Sequence, residues 1–287
     1  MIEFVEAVTH NAILQNALLI GVIASVACGV MGSYVVARRI SYIAGGIAHC
    51  TLGGMGIARY LNRVEGWTWL QPLHGAVAAA LLAAIIIGYV SLRARQREDT
   101  VISALWASGM AIGILFIART PGYGEDLMSY LFGNILLVSI GDLYLVAALD
   151  FVVLTLGLVF YNRFLAVCYD AEFARLRGVN VEFYYLLLLS LVALTVVVLV
   201  TVVGLVLVIA LLTLPAAIAS HFVARLWQVM LIAIAISMLS TVAGLVLSYE
   251  PQLPPGATTI ALCAGAYLIT ILAKRVLASR RTVRANT

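Results

Sequence analysis

Apolar residues fall in nine long blocks parted by short polar or basic breaks, at 12–36, 41–61, 72–92, 100–118, 141–161, 182–202, 204–221, 226–247 and 257–273. Each approaches the roughly 20 residues a helix needs to cross a hydrocarbon core of about 30 Å. An open sheet cannot satisfy its backbone in lipid, so the blocks are read as helices. The pattern predicts an all-α, polytopic membrane bundle of about nine spans. Around Val203 and Gly204 about forty apolar residues run on without a charged break, and one kinked element there would make the count eight. Trp67 and Trp69 at one level, with Tyr161 and Trp227 at the other, suit the aromatic belts of the two interfaces.

Charge gives this bundle a direction. Threaded as nine spans, the chain places fourteen of its 17 basic residues on one side: Arg38, Arg39, Arg93, Arg95, Arg97, Arg163, Arg175, Arg177, Arg225, Lys274, Arg275, Arg280, Arg281 and Arg284. Arg59, Arg63 and Arg119 face the other way. Basic residues of short loops stay in the cytoplasm during insertion, so the N-terminus is expected outside and the C-terminus inside. With 64% apolar and 10% charged residues, and a mean hydropathy of +1.10, no polar exterior remains for a water-soluble globule. The net charge of +4 therefore reports topology and attraction to anionic headgroups, not nucleic acid. Nine spans consume most of the 287 residues, so a single transmembrane domain over 1–287 is expected. Cys28, Cys50, Cys168 and Cys263 show no CxxC spacing and no disulfide framework. The first eleven residues carry Glu3 and Glu6 but no Lys or Arg, unlike a secretory leader, and read as an interfacial helix.

Three interruptions break the pattern. The outer segment 120–133 opens with turn residues and places Glu125 and Asp126 ahead of a short apolar run, where acidic side chains complement a helix dipole. It reads as a re-entrant helix or as a plain outer-loop helix. The inner loop 168–178 has Asp170 as an N-cap and Gly178 as a stop, giving two turns of amphipathic helix with Glu172, Phe173, Ala174 and Arg175 between them. Such an element is a membrane-surface connector, or a docking helix that sets Phe173 and Leu176 into a partner's groove. Late in the seventh span, Pro215 removes a backbone donor and is expected to kink or break its helix.

The second span carries the chemistry. Gly45 and Gly46 lie one helical turn before His49, and Gly53 and Gly56 lie one and two turns after it. At 1.5 Å per residue, His49 is about 12 Å in from Ser41, near the midplane. Small residues at this spacing form helix-packing seams. An intramembrane imidazole also marks ion paths and is a common metal ligand. Both readings stand on the residues alone. Cys50 points about 100° away and reads as packing. Asp150, mid-span in the fifth block, would pair with His49, line a pore or be held by a hydroxyl, while His74 and His221 sit at span ends. Lys274 is the only lysine and no GxxxxGK[ST] precedes it, so the chain does not hydrolyse ATP by itself. HExxH and GxSxG are also absent, and no cofactor is called for.

The order of these features resembles the permease subunits of manganese, zinc and iron ABC importers. Four stretches carry the likeness: 32–42 (GSYVVARRISY) leading into the Ala48-His49 helix, 126–133 (DLMSYLFG), the inner loop around Glu172, Ala174 and Gly178, and 204–219 (GLVLVIALLTLPAAIA). The resemblance implies a homodimer of all-helical, type II importer-like subunits in a bacterial inner membrane. ATPase subunits would dock inside and a metal-capturing protein outside. It makes residues 170–178 a coupling helix and places His49 on the translocation path, with the glycines around it as path packing. Family members often carry an aspartate one turn before this histidine, where this chain has Gly45. Loss of a hard oxygen ligand favours zinc over manganese. The rivals are a proton-coupled secondary transporter relaying through His49 and Asp150, and a membrane scaffold with no substrate.

Overall fold

The computed structural model describes residues 6, 8–93, 98–121 and 139–285, with side chains as far as 276. Nine of its helices stand at the nine expected positions: α1 (Ala12–Arg38), α2 (Ser41–Arg63), α3 (Pro72–Arg93), α4 (Glu98–Ala118), α5 (Ile140–Val159), α8 (Val181–Val203), α9 (Leu205–Ser220), α10 (Leu226–Tyr249) and α11 (Pro255–Ala285). Two short helices, α6 (Tyr161–Tyr169) and α7 (Ala171–Leu176), link α5 to α8. The segment around Glu125 and Asp126 lies outside the described residues.

Local chemistry sets the ends. Asn11 caps α1 by accepting from the Ile13 amide at 3.0 Å. The same helix stops where Arg39 turns to φ 63° and Ile40 N–H reaches back to Val35 O at 3.0 Å. Ser139 and Asp142 form a capping box at the start of α5. The long apolar run after Glu182 is cut by Gly204, whose φ of 93° suits a residue without Cβ, so α8 and α9 are separate helices. Beyond that break, α9 continues as helix past the buried Pro215.

Seven of the helices are long and apolar enough to cross a bilayer by themselves. The exceptions are α2, which is more polar, and α9, whose 16 residues reach only about 24 Å. Both lie inside the bundle. Helix α2 packs on α4 and α3, and α9 packs on α1, α10 and α11, so neighbours rather than lipid surround them. The deeply buried α8 joins these two groups, touching α3 and α2 on one side and α9, α5 and α1 on the other. Leu115, Phe151, Leu239 and Ile269 are exposed on the outer helices. Scattered apolar side chains of this kind, on faces that no described helix covers, are what a bundle presents to acyl chains.

Polar groups inside the bundle mostly satisfy themselves. Ser25 and Ser33 donate to Gly21 O and Gly29 O, and Tyr34 Oη donates to Gly157 O at 3.0 Å, tying α1 to α5. The exposed Arg93–Glu182 pair at 2.9 Å adds little, since water screens both charges. Lys274 has a more definite task. Its ammonium donates to His221 O just past the end of α9, where helix carbonyls lack partners, and His221 stacks on Tyr267 of α11. Lys274→Met is expected to loosen the α9–α11 contact by about 1 kcal/mol. It should lower the melting temperature of the detergent-purified protein by a few degrees, and an unchanged melting point would remove the capping role.

Candidate functional site

The tight turn at Arg39 and Ile40 launches α2, and the glycines along it decide how near other helices come. A Cβ added at Gly45 would lie 3.2 Å from Trp106 Cζ3, and one at Gly46 would lie 2.8 Å from Ile102 Cγ2. At Gly53 and Gly56 the added atom would lie 2.9 Å from Gly109 O and 2.7 Å from Gly113 O. All four glycines therefore face α4. Gly109 and Gly113 answer them at four-residue spacing, so backbone meets backbone along this seam. On another face of α2, Gly54 meets Gly75 of α3 in the same way.

His49 sits within the α2–α4 seam, between the contacts of Gly45 and Gly46 and those of Gly53 and Gly56, and is 7% exposed. Its Nδ1–H donates to Gly45 O at 2.7 Å, because a carbonyl can only accept. That bond fixes the tautomer and leaves the Nε2 lone pair available. The ring stacks on Trp106, with centroids 4.0 Å apart and planes at 24°. Tyr42 tilts against the same indole at 5.7 Å and shares a 2.6 Å hydrogen bond with Ser103, one turn earlier on α4.

The other candidate ligands stand apart. Cys50 donates its thiol to Leu105 O at 3.3 Å, as expected of a packing residue. Asp150 is 7% exposed and faces α1 beside Ala27 and Cys28, and no hydrogen bond or ion pair joins it to His49. Its Oδ1 has no hydrogen-bond partner among the described residues. Helix α5 packs on α1, α8 and α6 rather than on α2, which explains the separation. Among the described residues no three His, Cys, Asp or Glu side chains surround one point, so one chain offers an ion a single imidazole here.

The 168–178 loop folds much as its end residues dictate. Asp170 accepts from the Phe173 amide at 2.9 Å, and Gly178 takes φ 76°. Between them α7 has six residues, shorter than two turns, because Arg177 already bonds back to Phe173 O and Ala174 O. Ala174 is buried, while Glu172, Phe173, Arg175 and Leu176 face outward, with Arg177 lying 5.1 Å over the Phe173 ring. Through α6 this small helix is braced on the bundle. Phe164 meets Tyr34 of α1 edge-on at 5.4 Å and Tyr184 of α8 at 6.3 Å.

Comparison with known proteins agrees with this architecture. The chain is 41% identical over 263 residues to a probable metal transport system membrane protein of Chlamydia trachomatis, covering 92% of this chain and 89% of the relative. It is 30% identical over 269 residues to the manganese transport system membrane protein MntC of Listeria monocytogenes, covering 94% and 93%. Among solved structures, PsaBC from Streptococcus pneumoniae in complex with Fab superposes with a TM-score of 0.82 at 30% identity, over 94% of this chain and 95% of that one. The model of the ABC 3 transport family matches residues 10–274, nearly every described helix, and the chain belongs to that family.

Proposed function

We propose that this chain is the permease subunit of an ATP-driven importer for divalent metal ions in a bacterial inner membrane, with its N-terminus outside. The observation that carries the reading is His49, a buried imidazole of α2 whose Nδ1 is committed to Gly45 O and whose Nε2 is left for a ligand. The metal-transport names of its relatives support it. The whole chain is one permease domain, and two copies pair so that two His49 side chains meet on the path. Among the described residues one imidazole per subunit stands with no carboxylate beside it, which favours zinc over manganese or iron, since imidazole suits zinc and carboxylate suits manganese. Such a thin ligand set also lets the ion leave.

ATP hydrolysis belongs to separate cytoplasmic subunits, and a metal-binding protein delivers the ion from outside. Asp170, Glu172, Phe173, Ala174, Arg175 and Gly178 form the coupling element. The outward Phe173 and Leu176 enter the ATPase groove, and the Phe164 brace carries motion into α1 and α8. Gly45, Gly46, Gly53 and Gly56 allow α2 to shift against α4 as the path opens. A proton relay through His49 and Asp150 has less support, because the two residues occupy different helix seams.

The test is uptake of Zn²⁺, Mn²⁺ and Fe²⁺ into vesicles holding this chain with its ATPase and capture protein. ATP-dependent uptake, fastest for Zn²⁺, is expected. Leu176→Asp should keep the chain folded, since that side chain is 87% exposed, but uncouple ATP hydrolysis from uptake. Absence of ATP-dependent flux from an assembled complex would remove the importer reading.

A further inference from the structure

Trp106 forms a flat shelf under the His49 ring. Trp106 lies parallel to the ring at 4.0 Å, so rotation of the imidazole about its Cβ–Cγ bond would drive an edge into the indole. The Gly45 bond holds the other side of the ring. Trp106 is itself held by Tyr42, which is tied to Ser103. Gly45 is part of the arrangement because a Cβ there would already crowd Trp106 Cζ3 at 3.2 Å. The indole has no lone pair to offer a cation sideways, since its nitrogen is a donor only. Its π face instead stabilises the positive charge that an imidazole acquires when Nε2 binds a metal.

We propose that Trp106 is the positioning residue of the path ligand. It locks the His49 ring so that Nε2 presents one lone pair in a fixed direction, and it polarises in favour of the metal-bound ring. This rests on His49 being a path ligand, as argued above. The preferred cargo is then a divalent cation of borderline softness that accepts a nitrogen-dominated shell, the class that includes Zn²⁺.

The experiment measures initial rates of ATP-dependent Zn²⁺ uptake per assembled complex in His49→Ala, Trp106→Met, Trp106→Phe and Gly45→Ala, and in the double variant of His49→Ala with Trp106→Met. Methionine keeps bulk without an aromatic face, and phenylalanine keeps the stack. Trp106→Met should raise the KM for Zn²⁺ about tenfold with the maximal rate within about twofold of the parent. Trp106→Phe should recover most of the loss, and Gly45→Ala should show a smaller rise in the same direction. The double variant should take up no less Zn²⁺ than His49→Ala alone, since Trp106 acts only through the imidazole it stacks on. If His49→Ala abolishes uptake while Trp106→Met leaves KM unchanged, the positioning role is overturned and the path ligand stands. If Trp106→Met and Trp106→Phe lower the maximal rate or the yield equally, Trp106 is only packing and the proposal fails. If His49→Ala leaves uptake unchanged, the site reading falls and the positioning role with it.

Discussion

On the path-ligand reading proposed above, His49→Ala is expected to abolish metal uptake without dismantling the protein: initial rates should fall about a hundredfold or more while the yield of assembled complex stays near that of the parent. The two halves of this expectation have separate grounds. The ring gives its Nδ1–H to Gly45 O, a carbonyl inside α2, so the helix keeps its backbone ladder when the ring goes. What is lost structurally is the stack on Trp106 and a small void beneath it, a cost of about 2 kcal/mol that a bundle packed on several helices tolerates. What is lost functionally is the nitrogen donor near the midplane of the α2–α4 seam. Removing groups that merely orient a metal ligand already costs 10–100-fold, as a general rule, and removing the ligand costs more. Uptake at the parent rate, in complexes shown intact by size-exclusion chromatography, would sink the ligand role.

Much of this was readable along the chain because it depends on neighbours in sequence. Asp170 acts as a cap and Gly178 as a stop through bonds spanning three to five residues, so their residue types predict their positions. The break at Gly204 is of the same kind, a lone glycine in an unbroken apolar run. The stripe at Gly45, Gly46, Gly53 and Gly56 was visible, but its partner was not, since helical spacing shows that a face is smooth and not what lies on it. A signal did exist. Gly109 and Gly113 repeat the four-residue spacing on α4, and Trp106 lies within a span rather than at either aromatic belt. Asp150 shows the same limit from the other side. Its depth follows from counting residues, yet its facing of α1 rather than His49 depends on how α5 rotates against α1, which no local pattern records.

The second large effect falls on a contact that carries no chemistry. Gly54 of α2 and Gly75 of α3 stand so close that a Cβ built on either runs into the carbonyl oxygen of the other, and each would also crowd an alanine Cβ, at Ala79 or Ala58. The obstacle is backbone, which cannot rotate aside as the end of a flexible side chain can. Gly54→Val therefore has to push α2 and α3 apart, and the displacement would carry into the Gly53–Gly109 and Gly56–Gly113 contacts on the α4 side of the same helix. Overpacking a tight core typically costs 1–3 kcal/mol, and here several backbone approaches fail together, so about 3 kcal/mol or more is expected. That is a large share of the stability of an ordinary domain. The variant should give little monodisperse protein in detergent, and what is recovered should melt well below the parent. Gly46→Ala should be milder, because the atom it meets is the Ile102 side-chain methyl. Gly265→Ala on α11, where an added Cβ meets nothing within 4 Å, should match the parent or exceed it by up to about 1 kcal/mol through helix propensity. If all three substitutions shift the melting temperature alike, close backbone approach is not what holds α2 in place, and the seam would have to be held by the side chains around it.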